Sequence, residues 1–121
     1  MSEETQTEES NLINFDHFMK MELRVAKILV CEKVPKSKKL LRMDVDMGGG
    51  ETRQLLAGLS QFYLPEEMVG RRVVVVANLQ PVKMMGLESQ GMILAASPEG
   101  EGAAPVPVSV PEGMPLGSVV R

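Results

Sequence analysis

The stretch Gly70-Arg71-Arg72-Val73-Val74-Val75-Val76-Ala77-Asn78-Leu79, followed after Pro81, Lys83 and Gly86 by Glu88-Ser89-Gln90-Gly91-Met92-Ile93-Leu94-Ala95-Ala96, decides how this chain is read. Its β-branched run and its second apolar run each suit a strand. Between them lies a short segment rich in hydrogen-bonding groups. Polar groups held between rigid strands form a binding surface, and no catalytic constellation competes with that reading.

Working outward, the same pattern recurs upstream. Leu23 to Val34 is dominated by β-branched and long apolar residues and ends at Pro35, a first strand long enough to bend. Leu41, Met43, Val45 and Met47 alternate with Arg42, Asp44 and Asp46, the cleanest period-2 signal in the chain. Gly48-Gly49-Gly50 turns the chain, and Thr52 to Ala57 returns as a third strand. Leu59 to Met68 reads as one or two helical turns around Pro65. Arg71 to Leu79 is the fourth strand and Gly91 to Ala96 the fifth. Before them all, Asn14 caps a short helix over Phe15 to Met21.

Strand, strand, strand, short helix, strand, strand is the order of the OB-fold barrel, an all-β class in which closing the sheet removes its exposed edges. The domain organisation expected is a disordered acidic tail over residues 1–11, a barrel domain over 12–97 and an extension over 98–121. In that extension the alternation of Val106, Val108 and Val110 suggests one or two extra extended segments.

A chain of 121 residues is long enough to bury a core without disulfides, and Cys31 is its single cysteine, which excludes an internal disulfide or a cysteine-based zinc cluster. No run approaches the roughly 18 apolar residues of a membrane span, and the polar, acidic start suits neither a signal nor a transit peptide. A cytoplasmic protein is expected. The net charge of −3 hides an asymmetry: residues 11–96 hold 12 bases against 9 acids, while Glu3, Glu4, Glu8 and Glu9 crowd the start. A mildly basic middle permits nucleic-acid binding without demanding it.

The candidate chemical motifs resolve mostly to structure. His17, the only histidine, has no partner at metal-ligand spacing apart from the adjacent Asp16 and reads as a surface helical residue. The triple glycine lacks the Lys-Ser/Thr and helix of a phosphate loop and reads as a hairpin turn. Asp44 and Asp46 share a strand face and read as its polar side. Lys36, Lys38 and Lys39 make a compact basic loop which, with Arg42, Arg71, Arg72 and Lys83, can follow a phosphate backbone along one barrel face. Asn78, Ser89 and Gln90 add neutral donors and acceptors. Met92, inside that polar cluster, is equally suited to core and to ligand contact. The four aromatics, Phe15, Phe18, Phe62 and Tyr63, all fall outside the predicted strands. Barrels that grip single strands stack bases on aromatic side chains. This sheet lacks them, so RNA recognition here would rest on folded shape and backbone.

At this point Phe18-Met19-Lys20-Met21-Glu22-Leu23-Arg24-Val25, Val34-Pro35-Lys36-Ser37-Lys38-Lys39-Leu40-Leu41, Val69-Gly70, Ala77-Asn78-Leu79 and Glu88-Ser89-Gln90-Gly91-Met92 together resemble the tRNA-binding OB domain family. That family supplies the C-terminal or beta-subunit domain of methionyl-tRNA synthetases and also occurs as stand-alone dimeric tRNA-binding proteins. The resemblance spans residues 14 to about 121 and departs at the first loop, where many members read His-Pro-Asn-Ala-Asp-Lys-Leu. Lys39 keeps the lysine and Lys38 replaces an acid; Ala26 stands for the usual glycine. The resemblance implies a non-catalytic module without cofactor or metal that binds tRNA with little sequence preference. It implies Arg24, Lys38, Lys39, Asn78, Lys83, Ser89, Gln90 and Met92 as RNA-binding residues. It further implies a homodimer joined through the N-terminal helix and the C-terminal extension, and a methionyl-tRNA synthetase catalytic domain as partner. The alternative is an export-related chaperone of the same fold, binding unfolded polypeptide on Met84, Met85 and Leu87.

Overall fold

The computed structural model describes residues 11–121, so the acidic tail expected over residues 1–11 lies, but for Asn11, outside the described residues. Helix α1 (Phe15–Met19) is capped as its sequence dictates, Asn14 Oδ1 accepting the His17 N–H at 2.8 Å. Strands β1 (Leu23–Lys33), β2 (Leu41–Gly48) and β3 (Glu51–Ala57) follow, then helix α2 (Pro65–Met68) and strand β4 (Arg72–Val76). Six short strands complete the chain: β5 (Val82–Met84), β6 (Leu87–Ser89), β7 (Met92–Ile93), β8 (Ala95–Ala96), β9 (Val106–Pro107) and β10 (Val119–Val120).

The main sheet runs β3-β2-β1-β4-β7 with every pair antiparallel. Its length and curl come from β1. The first half of that strand, Leu23 to Lys27, pairs with β4, and its second half, Lys27 to Lys33, pairs with β2. The switch is marked by a register shift between Ile28 and Val30, which leaves Leu29 unpaired and both Leu29 and Val30 exposed. The result is an OB-like fold, all-β apart from two short helices, whose sheet curls into an open half-barrel.

The alternation in β2 is realised residue by residue: Leu41, Met43, Val45 and Met47 are buried, and Arg42, Asp44 and Asp46 face outward. They join Ile28, Leu55, Met68, Val73 and Val75 in one core. Helix α2 begins at Pro65 and is closed by the Glu67 carboxylate, which accepts the Leu64 N–H at 2.7 Å; its Met68 plugs the barrel.

The four valines of β4 are all buried. Val73 and Val75 face the barrel core, whereas Val74 and Val76 face a second cluster with Leu23, packed against Leu94, Val110 and Val120. The extension over residues 98–121 supplies this outer cover. Val108 accepts from the Val74 N–H at 3.2 Å and donates to Leu94 at 2.9 Å, and the Val110 N–H donates to Arg72 at 3.1 Å. Strand β9 pairs with β8, and β10 with the start of β1. The extended segments expected after Pro98 are therefore bound along the sheet's outer side.

The segment between the fourth and fifth strands differs from expectation. It folds as a hairpin, β5 on β6, turned by Met85 and Gly86 at φ +52° and +79°. The fourth strand stops at Val76, where Ala77 to Leu79 turn away, and the fifth is interrupted at Leu94, whose N–H crosses to Val74.

One close approach locks the extension to the barrel. Gly48, at φ +86°, lies so near the Leu116 carbonyl that an added Cβ would sit 2.4 Å from its oxygen. Gly49, also at positive φ, meets nothing. Gly48→Ala is expected to cost at least about 2 kcal/mol, strain and overlap together, against about 1 kcal/mol for Gly49→Ala. Urea unfolding distinguishes them; equal losses would show that the C-terminal segment does not rest on this turn.

Candidate nucleic-acid interface

The open edges of the half-barrel, β3 and the β6–β7 connection, are bridged largely by side chains. The Ser89 hydroxyl is buried; it accepts the Leu56 N–H at 3.0 Å and donates to the Gly91 carbonyl at 2.9 Å. Gln90 accepts the Gln54 N–H on its Oε1 at 2.9 Å, and its own N–H donates to the Gln54 carbonyl at 2.8 Å. The Arg53 guanidinium, paired with Glu51 at 2.6 Å, donates to the carbonyls of Gln90 and Ala77. Asn78 works similarly just past the C-terminal end of β4. Its Oδ1 accepts the Glu22 N–H at 2.9 Å and its Nδ2 donates to the Lys20 carbonyl at 2.6 Å, tying the exit of α1 to the sheet. Three residues singled out as polar contacts thus have much of their hydrogen-bonding capacity engaged by this chain's own backbone.

The basic loop is held by its backbone with its charges outward. Val34 is buried beneath it, and the Ser37 hydroxyl accepts the N–H groups of Lys39 and Leu40, each at 3.2 Å. The Lys39 carbonyl accepts the Ser60 N–H at 3.0 Å, which joins the loop to the turn after β3. Lys36, Lys38 and Lys39 are exposed, as is Lys83 on β5. None of the four makes an ion pair among the described residues.

The arginines are differently placed. Arg42 binds Glu32 and Asp44, each at 2.8 Å, and these hydrogen bonds, Glu32 foremost, raise its pKa beyond the ordinary value. Arg71 donates to the Glu67 carbonyl and lies over the Tyr63 ring at 5.3 Å. Arg24 sits 3.8 Å from Glu22 and borders a small hollow of about 140 Å³ with Phe18 and Met19 of α1 and Val119 of β10.

Beside the loop and hairpin opens a larger cavity, about 360 Å³. It is lined by the Leu56–Leu59 turn, by Leu79 and Gln80, by Val82 and Met84 of β5, by Ser89 and the Gly91–Ile93 stretch, and by Ala95 and Pro105. Of the sequence-selected residues, Ser89 and Met92 line it; Lys83 lies between two lining residues, and Lys39 is bonded to the turn that forms one side. Arg24 belongs instead to the α1–β10 region. The sequence points to Met84 only as part of the apolar polypeptide surface of the alternative reading and does not single out Leu79 or Val82; the available signal was the alternation of apolar Val82 and Met84 around Lys83.

No group of three or more metal-ligating side chains occurs among the described residues, and no helix there is long and apolar enough to cross a membrane. The Cys31 thiol is pushed up to about 11, first by burial, so it is a poor nucleophile.

Comparison with known proteins places this arrangement. Residues 23–119 match the family described as "Putative tRNA binding domain". Methionine–tRNA ligase of Clostridium acetobutylicum is 51% identical over 109 residues, which are 90% of this chain and 17% of that enzyme. This chain therefore spans a small part of the curated relative. A MetRS-related protein from Pyrococcus horikoshii superposes with a TM-score of 0.84 at 36% identity, covering 93% of this chain and all of that one. The chaperone CsaA from Bacillus anthracis shares the fold, with a TM-score of 0.78 at 24% identity over 91% of this chain and 99% of that one.

The geometry separates architecture from surface. Ser89→Ala leaves the buried Leu56 N–H without its acceptor and is expected to lower stability by about 1–3 kcal/mol, whereas Lys83→Ala stays within about 0.5 kcal/mol of the parent. Chemical denaturation of both variants checks this; an unchanged Ser89→Ala would remove the hydroxyl from the barrel's closure.

Proposed function

We propose that this chain, which belongs to the tRNA-binding domain family, is a non-catalytic module that holds folded tRNA mainly by its phosphate backbone and with little sequence preference. The observation that carries this reading is a set of exposed lysines that make no ion pair among the described residues. Lys36, Lys38 and Lys39 stand on a loop fixed by Ser37 and Ser60, and Lys83 stands on the neighbouring hairpin. A fixed backbone that presents unneutralised ammonium groups suits a polyanion of defined shape. The absence of aromatic side chains from the strands, among the described residues, favours shape over base stacking.

Within that reading Lys38, Lys39, Lys83 and Met92 form the RNA-facing group. Asn78, Ser89 and Gln90 hold the surface that carries them, and Arg24 contributes from the α1 side. The relatives support a setting in which the module serves a methionyl-tRNA synthetase catalytic domain, raising the local concentration of tRNA near an aminoacylation site. Cytoplasmic residence follows from that role. The chaperone reading rests on a likeness of fold, and the basic loop favours RNA over polypeptide.

A homodimer belongs to the same proposal. Ile13, Phe15, Met19 and Met21 around α1 and Val119 on β10 are exposed apolar side chains, and β10 is held beside α1's exit by its pairing with Leu23 and Arg24. A second copy covering this surface would remove it from water.

Two measurements test these statements. Lys38→Ala with Lys39→Ala is expected to weaken tRNA binding and to reduce the slope of log K against log salt by up to about two; affinity insensitive to salt in the parent would refute phosphate-led binding. Phe15→Asp is expected to turn the dimer into a monomer in light scattering, and an unchanged mass would exclude α1 from the interface.

A further inference from the structure

The 360 Å³ cavity is at the small end of ligand pockets, which run roughly from 300 to 1,000 Å³. Its buried members are Leu56, Leu59, Ser89, Gly91 and Ile93, while Leu79, Val82 and Met92 remain half exposed. Among the described residues, no charged residue and no aromatic ring lines it. The charges stand outside. Lys39 is bonded through its carbonyl to Ser60, beside the lining Gly58–Leu59 turn, and Lys83 sits between lining Val82 and Met84, cross-strand from Glu88. Strand alternation points the Lys83 and Glu88 side chains away from the face that lines the cavity.

We propose that this cavity receives a single unstacked nucleobase of the bound RNA, with the phosphate backbone beyond it met by the lysine loop that Lys39 joins to the cavity wall. The inference rests on the tRNA-binding reading and deepens it. A base is a flat, largely apolar body with a polar edge, and folded RNA displays such bases in its loops. The Met84 and Met92 thioethers are polarisable contacts for an aromatic ring, and the amide of Gln80 offers both a donor and an acceptor to whatever edge is presented. Lysines outside an uncharged pocket match a ligand whose charge lies beside its ring system. An apolar polypeptide would have no use for them. The chain thereby meets a base without the aromatic platform of other barrels: it inserts the ring between aliphatic and thioether groups.

Gly58 gives a selective test. It lines the cavity, its backbone is outside the left-handed region, and an added Cβ meets nothing within 4 Å, so Gly58→Leu adds apolar bulk at the cavity wall without backbone strain. Binding of unfractionated tRNA to the full chain is measured across a salt series for the parent, Gly58→Leu and the Lys38→Ala/Lys39→Ala variant. Chemical denaturation verifies that each is folded. Gly58→Leu is expected to bind about tenfold more weakly, with its salt slope unchanged. In a chain labelled at its methionine methyls, tRNA is also expected to move the Met84 and Met92 signals upfield through the ring current of the inserted base, leaving Met114 unmoved. If Gly58→Leu binds as the parent does and those methyls stay in place while the lysine variant loses affinity, the base pocket is wrong and the tRNA-binding reading stands. An apolar peptide that shifts these methyls when bound tRNA does not would assign the cavity to polypeptide. If the parent does not bind tRNA, both readings fall.

Discussion

The constraint on which the rest of this structure depends is the burial of β4 on both faces. A strand of four consecutive valines has no solvent face to offer. Val73 and Val75 are satisfied by the barrel, but Val74 and Val76 need a second cover, which Leu23 and Leu94 supply only in part. The chain after Pro98 completes it through Val110 and Val120 of β10, while Val108 holds the segment alongside by backbone hydrogen bonds. The C-terminal extension is thus part of the fold's hydrophobic economy and cannot be treated as an appendage. Its route also brings Pro105 to the cavity, where the Tyr63 hydroxyl donates to its carbonyl at 2.7 Å. The same requirement that stabilises β4 therefore shapes the candidate binding surface.

A second consequence concerns polar residues near a binding face. An open half-barrel leaves backbone donors at its edges, and an unpaired buried N–H is costly. Ser89 supplies the acceptor for Leu56, Gln90 bridges to Gln54, and Asn78 caps the junction of α1 with β1. These side chains lie in the very segments that look like contact residues in sequence. Their chemistry is equally suited to either role, and only the geometry shows that much of it is directed inward.

What could be read in advance follows the strength of local patterning. The β2 alternation carried its burial pattern without ambiguity because every second position is apolar over a full strand. The valine run announced a strand but not its second cover, since an unbroken apolar run says nothing about what lies on either side. The β5–β6 hairpin was obscured for a different reason: its turn is Met85-Gly86, where Asn-Gly or Asp-Gly is the recognisable pair, and Met85 takes a left-handed conformation that a bulky side chain rarely adopts. The basic loop was legible as charge. Its attachment to the turn after β3, through Lys39 and Ser60, was not, because a backbone hydrogen bond between distant segments leaves no trace in residue type.

The contrast between arginine and lysine explains how a chain of net charge −3 can present a basic face. Arg42 and Arg53 lie against Glu32, Asp44 and Glu51 and donate to neighbouring amide or carbonyl oxygens, uses for which a planar fork of donors is well suited. Their charge is neutralised where it arises. Lys36, Lys38 and Lys39, compact and strongly hydrated, make no ion pair among the described residues and stand on a loop whose backbone is already ordered. Ordering the loop in advance lowers the entropy lost when a phosphate is engaged. A surface of this kind needs no large net charge: a few ammonium groups held at fixed points, beside an uncharged cavity, provide both attraction and register.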